Sequence, residues 1–216
     1  MNLDSHPIEL PVVGAPAERS DAARNRMLIL GAAERLFAEN GVSCTSMDAI
    51  AAEAGVGKGT LFRRFGDRGS LVFAVLDSTA REFQDRFISG PPPLGPGGPA
   101  VERLIAFGEA LLAHTAEHGN LLLAAASAGA PIARFDAGPY GFYRTHIMML
   151  VREAAPELDA EYTADALLAP LRPEAVLYQL RVREMPFERL AAGWSQLARR
   201  VVERKPIAKR LTGRRE

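Results

Sequence analysis

The sequence predicts an all-α protein in two parts, and three observations predict it. Apolar residues recur at helical spacing along most of the chain; no alternating strand-like run bounded by turn residues occurs; and one Gly/Pro segment, residues 90–99, separates two helical stretches. With 216 residues, 48% of them hydrophobic, the chain is long enough for a real core without crosslinks or structural metal. Its one cysteine, Cys44, excludes an intrachain disulfide. The apolar stretch from Leu121 to Ala130 is broken by Ser127 and Gly129 and stopped by Pro131, too short for a membrane span. The N-terminus, with Asp4, Glu9, Pro7, Pro11 and Pro16, lacks the basic start and apolar centre of a signal peptide, so a cytoplasmic location is expected. Lys+Arg 26 against Asp+Glu 26 excludes a globally basic nucleic-acid coat and confines any such activity to a local patch.

Residues 1–22 mix Pro, Gly, Ala and acids without an apolar period, the composition of a mobile arm. From Arg24 the stripe Ile29, Ala33, Leu36 and Phe37 predicts a first helix of about five turns, stopped at Asn40-Gly41. Met47, Ile50, Ala51 and Ala54 predict a second, with Thr45 and Asp48 spaced as a capping box, ending at Gly55. Lys58 to Phe65 forms a short third helix with Leu61 and Phe65 on one face, and Gly66-Asp67 breaks it. A fourth carries Val72, Val75, Leu76, Thr79 and Phe83 inward and ends before Gly90. After the Gly/Pro linker, helices are expected at Val101 to Glu117, Phe142 to Ala155, Ala160 to Ala169, Glu174 to Glu184 and Pro186 to Val202, with Leu121 to Ala126 a short buried segment. The expected domains are residues 23–89 and 100–204, with a basic tail at 205–216.

The second and third helices are joined by Gly55-Val56-Gly57. Ala51 is small enough to let two helix axes approach, Gly55 can take the positive φ of a tight turn, and Leu61 fills the angle between them. That spacing is a helix-turn-helix. With about 100° per residue, Gly59, Thr60 and Arg63 fall opposite Leu61 and Phe65. Lys58, Arg63, Arg64 and Arg68 surround one acid, Asp67, so positive charge concentrates where phosphates would lie.

From Thr45 to Leu71 the chain, Thr-Ser-Met-Asp-Ala-Ile-Ala-Ala-Glu-Ala-Gly-Val-Gly-Lys-Gly-Thr-Leu-Phe-Arg-Arg-Phe-Gly-Asp-Arg-Gly-Ser-Leu, resembles the TetR family of transcription regulators almost position for position. The resemblance is close over residues 24–87; beyond them it extends only to size, helical content and order. It implies an N-terminal three-helix helix-turn-helix domain binding DNA and a C-terminal helical domain for regulation and dimerisation. It also implies that Thr45 and Ser46 hold phosphate, that Gly57, Lys58, Gly59 and Thr60 open the recognition helix, and that Arg63 takes guanine edges or phosphate. Arg64 and Arg68 then clamp the DNA backbone, and Phe62 stands where the family usually has a tyrosine.

In the second domain, Phe107, Leu111, His114, Tyr143 and Ile147 are the expected lining of an effector pocket. Leu177, Leu180, Phe187, Leu190, Trp194, Leu197 and Val201 have the apolar spacing of a four-helix dimer interface, with Trp194 its anchor. The expected function is a DNA-binding transcriptional regulator, a repressor that binds a palindromic operator on double-stranded DNA as a homodimer and is released by a small-molecule effector, with no cofactor, metal or membrane partner. Two rivals stand beside it. One is an all-α metal hydrolase, since His114, Glu117 and His118 match an inverted zinc-protease pattern. The other is a helical adaptor that binds another protein and no DNA. A phosphate loop is excluded, because Ala52 stands where that motif requires glycine. Cys44, just before a helix, invites a redox-sensing role, but no second cysteine is present to resolve it.

Overall fold

A computed structural model describes residues 16–127 and 138–203, and every regular element among them is helical. The helices are α1 (Pro16–Asn40), α2 (Met47–Glu53), α3 (Lys58–Phe65), α4 (Arg68–Ser89), α5 (Ala100–Ser127), α6 (Pro139–Ala154), α7 (Ala160–Leu168), α8 (Pro173–Leu177) and α9 (Phe187–Val202). A 3-10 turn, Ala169–Leu171, precedes α8, and a π-helical turn, Tyr178–Val182, follows it. The basic tail expected at 205–216 lies outside the described residues.

The chain forms two compact units that divide between Leu71 and Val72, inside α4. Composition had placed that division at the Gly/Pro segment 90–99, which is non-helical but only links α4 to α5. All of α4 after its first turn belongs to the second unit, whose core takes up Phe83 and Phe87. At the other end, α1 begins eight residues before the expected Arg24, inside the stretch expected to be an arm. Ala17, Glu18, Arg19, Ala22 and Ala23 are helix formers even without an apolar period, and Pro16 suits a first turn.

In the first unit, Ile29, Ala33 and Phe37 of α1 are buried with Ile50 and Ala51 of α2 and Leu61 of α3, which closes a three-helix core. In the second, α5 is the central element, packed by α6, α8 and α9, and α7 lies on α6. The stretch expected as two pieces is one helix through Gly119. A Cβ at Gly119 would lie 2.6 Å from Leu177 Cδ2, so this glycine admits α8 against the helix rather than ending it. The last expected helix pair also differs: α8 lasts only five residues before its carbonyls shift to the wider π pattern.

Candidate nucleic-acid interface and regulatory core

The turn between α2 and α3 is built from backbone hydrogen bonds. Val56 N–H donates to the Ala51 carbonyl at 3.0 Å and Gly55 N–H to that of Ala52 at 3.1 Å, while Gly55 sits at φ +64°. A side chain at that φ is strained, which is why glycine stands there. Leu61 is fully buried and Phe65 nearly so, while Lys58, Gly59, Phe62, Arg63 and Arg64 are exposed and Thr60 is half-buried. The outward face of α3 is therefore the one the spacing predicted. Arg26 of α1 lies over the Phe65 ring at 5.4 Å and secures the inner face from the side.

The expected phosphate contacts need one correction. Thr45 is 3% exposed, and its hydroxyl reaches the carbonyls of Gly41 at 2.8 Å and Leu36 at 3.1 Å, so it ties the turn to α1 and offers nothing to solvent. The cap of α2 is one residue on: Ser46 Oγ accepts from Ala49 N–H at 3.1 Å. Asp48 closes no capping box with Thr45. It pairs with Lys58 Nζ at 2.5 Å, joining α2 to α3. Gly57 is the exposed N-cap of α3 and carries no side-chain cap.

Arg64 donates to the Ala22 carbonyl at 2.5 Å, and Arg68 to those of Ser43 at 3.0 Å and Thr45 at 3.4 Å. Both arginines thus clamp the unit's own backbone. Arg63 has no hydrogen-bond or ion-pair partner among the described residues. Asp67 caps α4 by accepting from Ser70 N–H at 2.7 Å, a bond that also holds its carboxyl below the usual carboxylate range. Cys44 is exposed, with Ser43 Oγ 3.9 Å from its sulfur.

In the second unit, Phe107, Leu111, Tyr143 and Ile147 all belong to the hydrophobic core. Phe83 gathers the rings: His114 stacks on it at 5.2 Å, and Tyr143 and Phe107 lie at 5.4 and 5.6 Å. Phe87 and Phe107 flank His146 at 4.5 and 5.0 Å. Phe87 was missing from the sequence-based set although it continues the stripe of Phe83 at i+4; the Gly/Pro boundary had assigned it to the other domain. Burial lowers the pKa of His114 to about 4, helped by the neighbouring charges of His118 and Arg86. Burial does the same to His146, to about 4, with Arg103 adding to it. His146 Nε2 is buried without a hydrogen-bond partner among the described residues. Burial also raises the Tyr143 phenol.

His114 and His118 meet edge to face at 4.6 Å, and Glu117 approaches His118 at 3.7 Å. No group of three or more His, Cys, Asp or Glu among the described residues is arranged to hold a metal ion. The hydrolase reading therefore finds no further ligand there.

Two of the expected dimer residues are core residues of the chain itself. Trp194 is 4% exposed, donates Nε1–H to the Ile105 carbonyl at 3.2 Å and packs over Gly108, so it is no interface anchor; Leu177 is buried against Gly119. The apolar stripe of α9 is wider than one contact needs, and it splits. Trp194, Ala198 and Val202 are buried, Phe187, Leu190 and Val201 are half-buried, and Leu197 is 43% exposed. Leu180, in the π turn, is also half-buried. Leu190, Trp194 and Leu197 border an open hollow of about 310 Å³ with Leu112, Leu171 and Met185.

These features define a class: a helical protein with an N-terminal helix-turn-helix unit followed in the chain by a second helical unit with its own core. Residues 29–75 match the family described as bacterial regulatory proteins, tetR family. An HTH-type transcriptional regulator of Staphylococcus aureus is 44% identical over 69 residues, 32% of this chain and 37% of that protein. The chain thus matches little more than a third of that relative's length. Among solved structures, a regulator from Saccharomonospora viridis in complex with choline superposes with TM-score 0.70 at 20% identity, covering 86% of this chain and all of that one. NalD, the secondary repressor of the MexAB-OprM multidrug efflux pump in Pseudomonas aeruginosa, gives TM-score 0.55 at 20% identity, over 86% of this chain and 98% of that one. The match to the tetR family thus runs from within α1 to within α4. No helix among the described residues is long and apolar enough to cross a membrane.

Proposed function

We propose that this protein is a transcriptional repressor that places α3 in the major groove of a palindromic operator, works as a homodimer, and is released by a small-molecule effector held in its second unit. The observation that carries the reading is the exposed face of α3. Gly59, Thr60 and Arg63 stand there on a helix fixed by buried Leu61, and Arg63 has no partner among the described residues. One such helix makes few contacts, so two copies on successive grooves are needed for tight, specific binding. The partly open flank of α9, with Leu190, Leu197 and Val201, supports the homodimer. The aromatic core around Phe83 and Tyr143 supports an apolar effector, and the choline complex of the Saccharomonospora viridis neighbour shows that a protein of this fold takes a small molecule. In this reading the effector acts by binding one conformation of the regulator better than the other.

The test is binding of the purified protein to the duplex upstream of its own gene and to unrelated duplex of equal length, across a range of salt concentrations. Tight binding that survives competitor DNA is expected for one and not the other. Arg63→Ala is expected to weaken specific binding by about 1–3 kcal/mol if the side chain reads a base edge. If Arg63 meets only phosphate, the variant weakens both duplexes alike and lowers the salt slope by about one. A folded protein that binds neither duplex at low salt is the outcome predicted by the adaptor reading.

A further inference from the structure

Three of the four cations on and beside α3 already have partners inside the unit, and the partners differ in kind. Arg64 and Arg68 donate to backbone carbonyls, which are neutral, so each guanidinium keeps its full charge toward an approaching phosphate. Lys58 is bound to a carboxylate. Its ammonium and Asp48 are 2.5 Å apart, so together they present little net charge. The two side chains are 65% and 56% exposed, so the pair is no core brace, and an exposed pair of this kind adds little to stability. A pair that does little for the fold, yet neutralises a cation at the first position of α3, has its consequence in binding.

We infer that Asp48 is an internal competitor with DNA phosphate for Lys58, and that it lowers the sequence-independent part of DNA binding. The inference rests on the DNA-binding reading above. Sequence-independent affinity comes almost wholly from cations that displace counterions from phosphate. For Lys58 to join them it must leave Asp48, and the stranded carboxylate then faces the polyanion. The contact is thereby largely cancelled, whereas Arg63, Arg64 and Arg68 contribute in full. Asp48 acts through Lys58 and is a positioning residue.

The experiment measures binding of the full chain to a fluorescent duplex of unrelated sequence over a salt series, for wild type, Asp48→Asn, Asp48→Glu, Lys58→Gln and the double variant Asp48→Asn/Lys58→Gln. Asp48→Asn is expected to bind about threefold to tenfold more tightly at low salt, with the slope of log K against log salt steeper by about 0.9, one additional phosphate contact. Asp48→Glu keeps the wild-type slope. In the Lys58→Gln background the Asn change frees no cation, so the slope stays where it was. Helix content and melting temperature should match wild type throughout, as an exposed pair requires. An unchanged or shallower slope in Asp48→Asn overturns the inference, as does the same steepening with Lys58 absent, which would make Asp48 a bare charge acting alone. Wild type that binds no duplex while fully folded removes the DNA-binding reading itself; wild type that binds, with a silent Asp48→Asn, removes this inference only.

Discussion

In the first unit the basic side chains point outward from a small core of aliphatic residues with Phe37 and Phe65, and in the second a larger cluster of aromatic and imidazole rings points inward. Lys58, Arg63 and Arg64 lie on the open side of α3, while Phe83, Phe107 and Tyr143 are buried against one another, with His114 half-buried on Phe83. Both units are made from the same element, the amphipathic helix. The difference shows that one pattern displays charge when its polar face is basic, and encloses rings when its apolar face is aromatic.

The largest expected effect separates the units through packing. A Cβ at Gly108 would fall 1.8 Å from Trp194 Cε2, inside the indole. Gly108→Ala should therefore destabilise the second unit by about 3 kcal/mol, at the upper end of typical overpacking costs, or prevent it from folding. Trp194 is the only tryptophan in the chain, so its fluorescence during urea unfolding reports this unit alone. Shifted tryptophan unfolding with the first unit's helices intact by circular dichroism would sharpen the comparison. A simultaneous loss of both would break it.

A pH titration tests the same contrast next. His114 and His146 have folded pKa values of about 4, below an unfolded value near 6.5. Above pH 6.5 both states are neutral and nothing is lost. Between 6.5 and 4 the unfolded chain takes up protons that the folded core refuses, so stability falls as pH drops through that window and levels off below it. Arg86, Arg103 and His118 all oppose the added charge. The summed loss should be on the order of a few kcal/mol, and His114→Phe should remove part of the slope. The described part of the first unit contains no histidine, so its helices should show no such transition in this window. Tryptophan fluorescence against pH, compared with DNA binding at the same pH values, distinguishes the two.

The smallest effect is local. Ser46→Ala removes the side-chain cap of α2 and should cost about 1 kcal/mol of first-unit stability, read as a lower midpoint for loss of DNA binding in urea. Thr45→Ala should cost at least as much, because its buried hydroxyl links the turn to α1 and two carbonyls lose their donor. If Thr45→Ala were silent for stability and damaging only for DNA binding, the inward placement of Thr45 would be contradicted.

The helix-turn-helix was legible because its specification is short in sequence. Ala51, Gly55 and Leu61 lie within eleven consecutive residues, and each is demanded by backbone geometry that spacing alone reveals. The second unit was legible only as helices. Its stripe on α9 is wide enough to be core, interface or both, and periodicity marks a face as apolar without saying what covers it. Gly119 read locally as a stop and proved to be a contact with Leu177, since an isolated glycine has the same signature in either role. Phe87 carried a usable signal in its i+4 spacing from Phe83, but composition at 90–99 outweighed it.

Sequence alone determined the class of fold, the helix-turn-helix, the inward and outward faces of α3, and the local excess of positive charge, because all of these follow from the order of residues along one helix or one turn. Tertiary structure decided the rest. It turned Thr45 inward, gave Lys58 a carboxylate and Arg64 a carbonyl, buried Trp194 over Gly108, and drew the end of α4 into the second core. Each of those depends on a partner outside the residue's own helix, and a partner is chosen by packing and by the desolvation of polar groups, which act on the folded surface and leave no periodic mark on the sequence.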